Sequence, residues 1–265
     1  PPPPPPPPPP LFFFTHTTHH QILSGLVGSE MCIRDRCLSG SGAIATAFSK
    51  AYHEGFTLTF VTGRAIGIGA YLSRLGHRVI QRVDQPIILT GYAALNKLLG
   101  KEVYTSHMQL GGPKVMGNNG VSHCLVEDDV SGAMAIIKWL SYVPCQIGGP
   151  LPIKKAEDPV DRDVTYYPEK EEKLDPRAAI AGKKSTESGE SFLGMFDDGD
   201  WSELQAGWAK TVVTGHARLG GIPVGVVAVE VDTVSMNVPA DPGDATSSEK
   251  SVAPVSYTHL RAHET

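Results

Sequence analysis

Apolar and polar residues alternate over residues 56–61, where phenylalanine and leucine are interleaved with threonine. This period of two is typical of a half-buried β-strand. Residues 65–75 have a helical composition towards their end, and Gly76 is a typical helix stop. Gly67 and Gly69 lower the helix propensity at the start of this segment, so we expect backbone amides to be exposed there.

The next part of the chain continues the alternation of strand, loop and helix. Short strands are predicted at residues 87–89 and 121–126, and a short helix at residues 92–99. Residues 106–120 contain four glycines and no regular period, which predicts a long loop. A further helix is predicted to begin at Asp128 or Asp129, and its apolar face consists of Val130, Ala133, Ile136, Ile137 and Leu140. This order of elements favours an α/β fold.

The chain changes character at residues 145–190, where prolines and glycines lie among many charges. We interpret this stretch as a linker between two subdomains. Beyond it the sequence predicts a helix at residues 201–210, a turn at residues 219–223 and an apolar strand at residues 224–230. A continuous apolar strand is typical of a sheet that is buried on both faces.

Both ends of the chain lack a folding pattern. Residues 1–10 are all proline, and the tract of threonine and histidine that follows has no period. Residues 30–36 and 256–265 resemble translated sequencing adaptor. We therefore interpret residues 1–37 as a non-native or disordered leader and residues 256–265 as a non-native tail. His16, His19 and His20 are assigned to this leader, since they have no acidic or cysteine partner for a metal.

Composition excludes several classes of function. The formal net charge of -5 provides no basic field for nucleic acid, and no stretch approaches the length of a membrane-spanning helix. The four cysteines show no disulfide framework and fit a reducing compartment. We therefore expect neither a nucleic-acid partner nor a membrane anchor.

Familiar catalytic motifs are not convincing in this sequence. The GSGAIA run at residues 40–45 matches a dinucleotide-binding pattern, but no hydrophobic strand precedes it. Ser122 and His123 are adjacent, so they point to opposite faces of a strand and do not suggest a hydrolytic triad. No metal-binding motif occurs between the two ends. Glycine clusters at strand-to-helix junctions stand out instead, and exposed backbone amides at such junctions can bind anions or oxyanions.

Several long motifs identify a family. They are FVTGR (60–64), GIGAYL (67–72), QPIILTG (85–91), LNKLLGKEVY (95–104), QLGG (109–112), NNGVSH (118–123), WLSYVP (139–144), GWAK (207–210), LGGIPVGV (219–226) and PADP (239–242). In this order they closely resemble the carboxyltransferase domain of eukaryotic-type multidomain acetyl-CoA carboxylase. The likeness covers nearly all of residues 38–255.

The resemblance implies a crotonase-like α/β fold, in which two β-β-α superhelix subdomains pair head to tail across a homodimer. It implies that residues 38–147 are the later part of the N-terminal subdomain and residues 148–191 the linker. Residues 192–255 would then open the C-terminal subdomain. The chain is thus interpreted as a fragment that is inactive in isolation.

The reaction implied by the resemblance is carboxyl transfer from carboxybiotin to acetyl-CoA, giving malonyl-CoA for fatty acid synthesis. Biotin would arrive on a carrier domain outside this chain, and ATP and Mg would act only in a separate biotin carboxylase part. Carboxybiotin brings both the carboxyl group and a base, so the protein mainly has to stabilise developing oxyanions. The implied location is the cytoplasm or the plastid.

Motif matching also gives candidate site residues. The backbone amides of Gly120 and Val121 are candidates for the thioester oxyanion site, and Gly67, Ile68 and Gly69 for the wall of the substrate site. Arg218 is a candidate partner for the malonyl carboxylate. Relatives typically carry arginine at the position of His216, and an imidazole with an ordinary pKa of about 6.5 is mostly neutral at pH 7.

Two other interpretations stay open. The shared fold also permits a carboxyltransferase that acts on another acyl-CoA, such as propionyl-CoA. Alternatively, the chain is a non-catalytic piece that binds acyl-CoA or forms a dimer, because the biotin carboxylase part, the biotin carrier and the rest of the second subdomain are expected to lie outside it. The absence of a Met-Lys-Met biotinylation motif supports this interpretation.

Overall fold

The computed structural model describes residues 35–156, 158–159, 161–168, 174–184, 189–230, 233–238, 240 and 246–252. They form two compact units. The first holds the described residues up to Leu95 together with Thr105–Met116 and Val121–Pro150, and the second holds Asn96–Tyr104, Gly117–Gly120 and the described residues from Leu151 onward. The predicted leader and tail lie outside the described residues, except that a helix begins at Asp35.

The first unit is built on parallel strands. Its elements are α1 (Asp35–Glu54), β1 (Leu58–Val61), β2 (Ala65–Ile66), α2 (Ile68–Ser73), β3 (Arg78–Arg82), β4 (Ile87–Ile88), α3 (Tyr92–Leu99), α4 (Met108–Gly111), α5 (Pro113–Met116), β5 (Cys124–Val126) and α6 (Asp129–Leu140), α3 extending into the second unit. One parallel sheet has the order β1-β3-β5, and β2 pairs with β4 in parallel. Parallel strands with helical crossovers make this an α/β unit, as predicted.

The central strand β3 is the core of the first unit. Val79, Ile80 and Gln81 are all fully buried, because β3 has a strand on each side. Val61 and Ile87 pack in the same region. The sequence analysis did not predict β3, whose short apolar pair is flanked by arginine and glutamine.

Helix α6 begins where the sequence predicted. Asp128 is its N-cap and accepts a hydrogen bond from the Ser131 amide at 2.7 Å. The predicted buried face is wrong, however, since Val130 is 72% and Ile137 61% exposed. Gly132 and Trp139 are buried instead.

The long loop predicted at residues 106–120 is more regular than expected. It contains α4 and α5, two single-turn helices. Such short helices have no room for an apolar periodicity, so the sequence pattern could not reveal them. The predicted helix at residues 92–99 is confirmed as α3.

The second unit is built on antiparallel strands. Its remaining elements are α7 (Pro176–Ala181), β6 (Lys183–Lys184), β7 (Ser191–Phe192), β8 (Ser202–Leu204), β9 (Val212–Leu219), β10 (Ile222–Val229), β11 (Met236–Val238) and β12 (Lys250–Val252). The main sheet has the order β10-β9-β8, and β9 and β10 form a hairpin whose turn is Gly220-Gly221, as predicted. Helix α7 lies inside the stretch interpreted as a linker, and its Ala178 and Ile180 are buried.

Two predictions for the second unit are wrong. Residues 201–210 form β8 and an irregular loop rather than a helix. Strand β10 is an edge strand rather than one buried on both faces, because Val227 is 77% exposed and only β9 pairs with it in the main sheet. Pro223 fits this position, since an edge strand tolerates a missing amide donor.

Within the described residues, no helix combines the length and the apolar character that crossing a membrane requires. The same residues contain no cluster of three or more histidine, cysteine, aspartate or glutamate side chains that could hold a metal ion.

Packing between α6 and β1 generates a test of the first unit. A Cβ at Gly132 would lie 2.1 Å from the Phe60 ring, so we predict that Gly132→Ala destabilises the protein by about 1–3 kcal/mol despite the helix propensity of alanine. The matched control is Gly42→Ala in α1, where an added Cβ meets nothing within 4 Å. This control should be neutral or stabilising, by roughly 0.5–1 kcal/mol. Urea unfolding followed by circular dichroism measures both, and an unchanged midpoint for Gly132→Ala would contradict the packing.

Candidate functional site

The predicted substrate wall is a tight turn between β2 and α2. Gly67 has a φ of 60°, and its amide donates to the Ile88 carbonyl at 2.9 Å. Ile68 and Gly69 begin α2, whose first amides have no acceptor within the helix. The turn is therefore held against β4 through Gly67, and Ile68 and Gly69 supply its helix-initiating amides.

A polar cleft of about 360 Å³ lies in the same unit. It is lined by Arg64, Asp84, Gln85, Pro86, Tyr92, Thr105, Ser106, His107 and Met108. Arg64 is exposed and makes no ion pair within the described part of the chain. Tyr92 and His107 meet edge to face, with ring centroids 4.9 Å apart.

The acidic group of the cleft is already paired. Arg82 donates to both carboxylate oxygens of Asp84, at 2.5 and 2.9 Å, and also to Asp129 at 2.9 Å. Hydrogen bonds from Arg82 lower the pKa of the Asp84 carboxyl group. The Arg64 charge is therefore left without a compensating carboxylate in the cleft, which favours anionic or oxygen-rich ligands there.

A buried polar network lies behind the segment that leads into β5. The Gln81 side-chain amide donates to the carbonyls of Gln85 at 2.7 Å and Gly111 at 3.0 Å. Its oxygen accepts from the hydroxyl of Ser122, and Ser122 is itself 2% exposed. The Ser122 amide donates to the Met116 carbonyl at 2.9 Å. Side chain and backbone of Ser122 are thus both held immediately after Val121.

His123 continues this network as a neutral acceptor. Its Nδ1 accepts from the Val79 amide at 3.1 Å, and its own amide donates to the Val79 carbonyl at 2.9 Å. Burial, together with the charges of Arg78 and Arg74, lowers the pKa of His123 to about 4. The ring has a structural role, in agreement with the rejection of a hydrolytic triad.

The candidate oxyanion turn, which we define as Gly117–Gly120, belongs to the second unit. Gly120 is buried in a left-handed conformation with a φ of 78°, which favours glycine. Its carbonyl accepts from the Gln205 side-chain amide at 3.0 Å, and its Cα lies against the ring of Trp208. The turn is therefore supported by the loop between β8 and β9.

His216 and Arg218 lie on β9, two residues apart and so on the same face of the strand. His216 is half-buried and is paired in register with Ser202 of β8 and Gly225 of β10. Arg218 is 1% exposed, and its Nη1 donates to Asp200 at 2.6 Å. A substrate carboxylate at Arg218 would have to compete with Asp200, so the carboxylate role stays a prediction.

The structure divides the predicted site residues between the two units. Gly67, Ile68, Gly69 and Val121 belong to the first unit, whereas Gly120, His216 and Arg218 belong to the second. Sequence reasoning missed Gln81, Gln205 and Trp208. The GWAK motif was a signal for Trp208, but the incorrect helix at residues 201–210 concealed its place in a loop.

Comparison with known proteins identifies the class. The model of the carboxyl transferase domain family matches residues 16–251, so the chain belongs to that family. The match begins within the predicted leader and ends before the predicted tail.

Curated relatives are multidomain carboxylases. Acetyl-CoA carboxylase 1 of Oryza sativa subsp. japonica is 62% identical over 231 residues, and that of Arabidopsis thaliana is 60% identical over the same length. Acetyl-CoA carboxylase of Saccharomyces cerevisiae is 52% identical over 228 residues. The match covers 87% of this chain but only 10% of the rice protein.

Solved structures identify the fold. Two crystal structures of transcarboxylase 12S, with hydrolysed methylmalonyl-coenzyme A or with methylmalonyl-coenzyme A and methylmalonic acid bound, match with TM-scores of 0.61 and 0.62 at 24% identity. Each match covers 73% of this chain and 36% of the transcarboxylase chain. The predicted crotonase-like carboxyltransferase fold is confirmed.

The buried His123 generates a prediction about pH. Because its pKa in the folded protein is about 4, against 6.5 ordinarily, the unfolded chain binds a proton between these values that the folded chain does not. The free energy of unfolding should therefore fall as the pH is lowered from about 7 to about 4. His123→Gln keeps an acceptor for the Val79 amide without titrating, so it should flatten this dependence.

The exposed Gln146 provides the control, since Gln146→Asn changes no titrating group and should leave the pH dependence intact. Burial also lowers the pKa of His77, which should leave a smaller dependence in the same direction in the His123→Gln protein. Urea unfolding at a series of pH values measures all three proteins. An identical slope for wild type and His123→Gln would contradict the prediction.

Proposed function

We propose that this chain forms part of an acyl-CoA carboxyltransferase site in which acetyl-CoA is carboxylated to malonyl-CoA. The peptide group that joins Gly120 and Val121 stabilises the negative charge that develops on the thioester oxygen. The observations that carry this proposal are the buried, left-handed Gly120 directly before Val121 and the Ser122 that follows Val121, whose hydroxyl and amide are both held in place. A donor whose direction is set before the reaction stabilises a transition state better than one that must reorient.

The polar groups around this peptide are neutral, which suits the proposed chemistry. Gln81 and Ser122 are uncharged, and the low pKa of His123 keeps it neutral near pH 7. Between neutral groups, an oriented backbone dipole can act on a developing negative charge. The names of the rice, Arabidopsis and yeast relatives support acetyl-CoA as the acyl substrate.

The donor set also fits a carboxylated biotin. Backbone amides donate to oxygen, and so does Arg64 of the cleft, which makes no ion pair among the described residues; such donors match a ureido carbonyl and a carboxylate. Carboxybiotin, when bound, supplies the carboxyl group.

We propose that a biotin carrier domain delivers carboxybiotin to the site. We also propose that the complete carboxylase is a head-to-tail homodimer in the cytoplasm or plastid. ATP and Mg would be needed only in a separate biotin carboxylase part.

A larger acyl group is the second candidate substrate. One of the solved structures that share the fold contains methylmalonyl-coenzyme A. Its acyl group is a propionyl group that carries an added carboxyl group. Comparing kcat/KM for acetyl-CoA and propionyl-CoA decides between the two. A higher kcat/KM for propionyl-CoA would overturn the assignment of acetyl-CoA as substrate. It would leave the proposed carboxyltransferase reaction in place.

A chimera tests the proposed activity. The 231 matched residues of rice acetyl-CoA carboxylase 1 are replaced by those of this chain, and malonyl-CoA formation is measured. We expect activity within about tenfold of the rice enzyme, since one factor of ten corresponds to only about 1.4 kcal/mol in the barrier. A chimera that carboxylates its biotin but forms no malonyl-CoA would refute the proposal in favour of a non-catalytic piece.

Within the chimera, Gly120→Ala probes the site itself. Alanine is strained at a φ of 78°, and its Cβ would lie 3.0 Å from the Trp208 ring. We expect kcat to fall about a hundredfold, comparable with the loss of one oxyanion donor. Gly100→Ala is the matched control, because Gly100 has a similar φ of 68° with open space around it. Equal losses for the two variants would indicate backbone strain alone.

His216 generates a separate prediction. If fixed positive charge is needed on this face of β9, His216→Arg should raise turnover of the chimera by roughly tenfold or more, the value of one charge-assisted hydrogen bond in the transition state.

The control for His216→Arg is Thr214→Arg, which places the same charge on the same face of β9, two residues earlier in the strand. It should not raise turnover. An increase below about threefold for His216→Arg would mean that His216 only packs within the sheet.

A further inference from the structure

We infer that Gln205 and Trp208 are positioning residues that set the orientation of the peptide group between Gly120 and Val121. Neither residue was among the sequence-derived candidates. The inference rests on the proposed function, because it concerns the same peptide group, and it assigns that group's geometry to the loop between β8 and β9.

Gln205 acts through the carbonyl of Gly120. Its Nε2 donates to this oxygen at 3.0 Å. In a trans peptide the C=O and the following N–H are coplanar and point in opposite directions. Holding the Gly120 oxygen therefore also sets the direction of the Val121 N–H. A hydrogen bond to the carbonyl further polarises the peptide and makes its N–H a better donor.

Trp208 acts at the Cα of Gly120. A Cβ added at Gly120 would lie 3.0–3.2 Å from Cδ2, Cγ and Cε2 of the indole ring. The ring thus occupies the space next to the Gly120 Cα and prevents the turn from moving towards it. Trp208 remains 47% exposed, whereas the core residue Trp139 is 3% exposed. Burial alone is therefore a weaker reason for tryptophan at position 208 than at position 139.

The loop that carries these two side chains is strained. Gln205 has a φ of 56° and Ala209 a φ of 47°, a left-handed conformation that is unfavourable for an L-residue. Hydrogen bonds from the Trp208 amide to the Gln205 carbonyl at 2.9 Å and from the Val212 amide to the Ala209 carbonyl at 2.8 Å hold this shape. Such strain persists where the surrounding structure requires one particular geometry.

The strained loop also contacts the turn at a second point. A Cβ at Gly207 would lie 2.9 Å from Asn118 Oδ1 and 3.0 Å from the Gly117 carbonyl oxygen. The backbone at Gly207 is therefore close against the candidate oxyanion turn. The loop therefore contacts both ends of the candidate oxyanion turn. Gly207 lies against its first two residues, and Gln205 and Trp208 contact its last residue, Gly120.

Steady-state kinetics of the chimera described above test the role of Gln205. Gln205→Ala removes the hydrogen bond to Gly120, and we expect kcat to fall about tenfold while KM for acetyl-CoA changes less than twofold, since the amide acts on charge that develops in the transition state. Gln205→Glu should lower kcat further, because a carboxylate cannot donate and repels the Gly120 carbonyl. Ala206→Gln, at the neighbouring exposed position, is the matched control and should leave both constants unchanged.

A structural readout separates positioning from general stability. In the 265-residue chain, the ¹⁵N resonance of Val121 should move upfield in Gln205→Ala, because the preceding carbonyl loses its hydrogen bond.

Trp208→Phe keeps a ring beside Gly120 and should retain most of the kcat of the chimera, whereas Trp208→Ala should not. In the Trp208→Ala background, Gly120→Ala should lower the melting temperature less than in the wild type, because the steric conflict is gone.

Each outcome has one meaning. An unsubstituted chimera without activity refutes the proposed function. An active chimera in which Gln205→Ala leaves kcat and the Val121 resonance unchanged overturns the positioning role alone. A loss of kcat that Trp208→Phe shares with Trp208→Ala, or a rise in KM without a fall in kcat, also overturns it.

Discussion

The side-chain amide of Gln81 is the interaction on which the backbone of the first unit depends. It lies at the centre of the sheet, fully buried, and bonds to the carbonyls of Gln85 and Gly111 and to the hydroxyl of Ser122. A buried amide with both donors and its acceptor engaged avoids the penalty of about 1–3 kcal/mol for each unsatisfied polar group. Because Ser122 follows Val121 directly, this network determines where the chain enters β5.

The side chains bonded to the backbone at that entry point are neutral and polar. His123 accepts from the Val79 amide and has a pKa of about 4, so it carries no charge near neutral pH. The charges that help to lower this pKa belong to Arg78 and Arg74, and being positive they do not oppose a developing negative charge. A reaction that develops negative charge on a thioester oxygen benefits from oriented dipoles that no adjacent carboxylate opposes. The electrostatics of the fold and the proposed chemistry therefore agree.

Sequence patterns were informative where local interactions determine the structure. Helix α6 with its Asp128 cap, helix α3 and the Gly220-Gly221 turn follow from capping, periodicity and turn chemistry. Strand β3 was missed because Gln81 is buried through hydrogen bonds to residues far along the chain, which make a polar side chain a core residue. The loop at residues 205–209 was misjudged as a helix because its left-handed residues are stabilised by contacts with Gly117–Gly120, residues distant in sequence. The family motifs located Gly120 and Val121, but no pattern pointed to Gln205.

In the proposed site the Val121 N–H stabilises charge on the thioester oxygen, so the sharpest experiment removes this N–H alone. Incorporating the α-hydroxy analogue of valine at position 121 of the rice chimera converts the amide into an ester, which removes the N–H and keeps the side chain. The account predicts that kcat for malonyl-CoA formation falls about a hundredfold with KM for acetyl-CoA unchanged. The same ester at Ile153, an exposed position outside the candidate site, is the control. A kcat for the position-121 ester equal to that of the control would contradict the account.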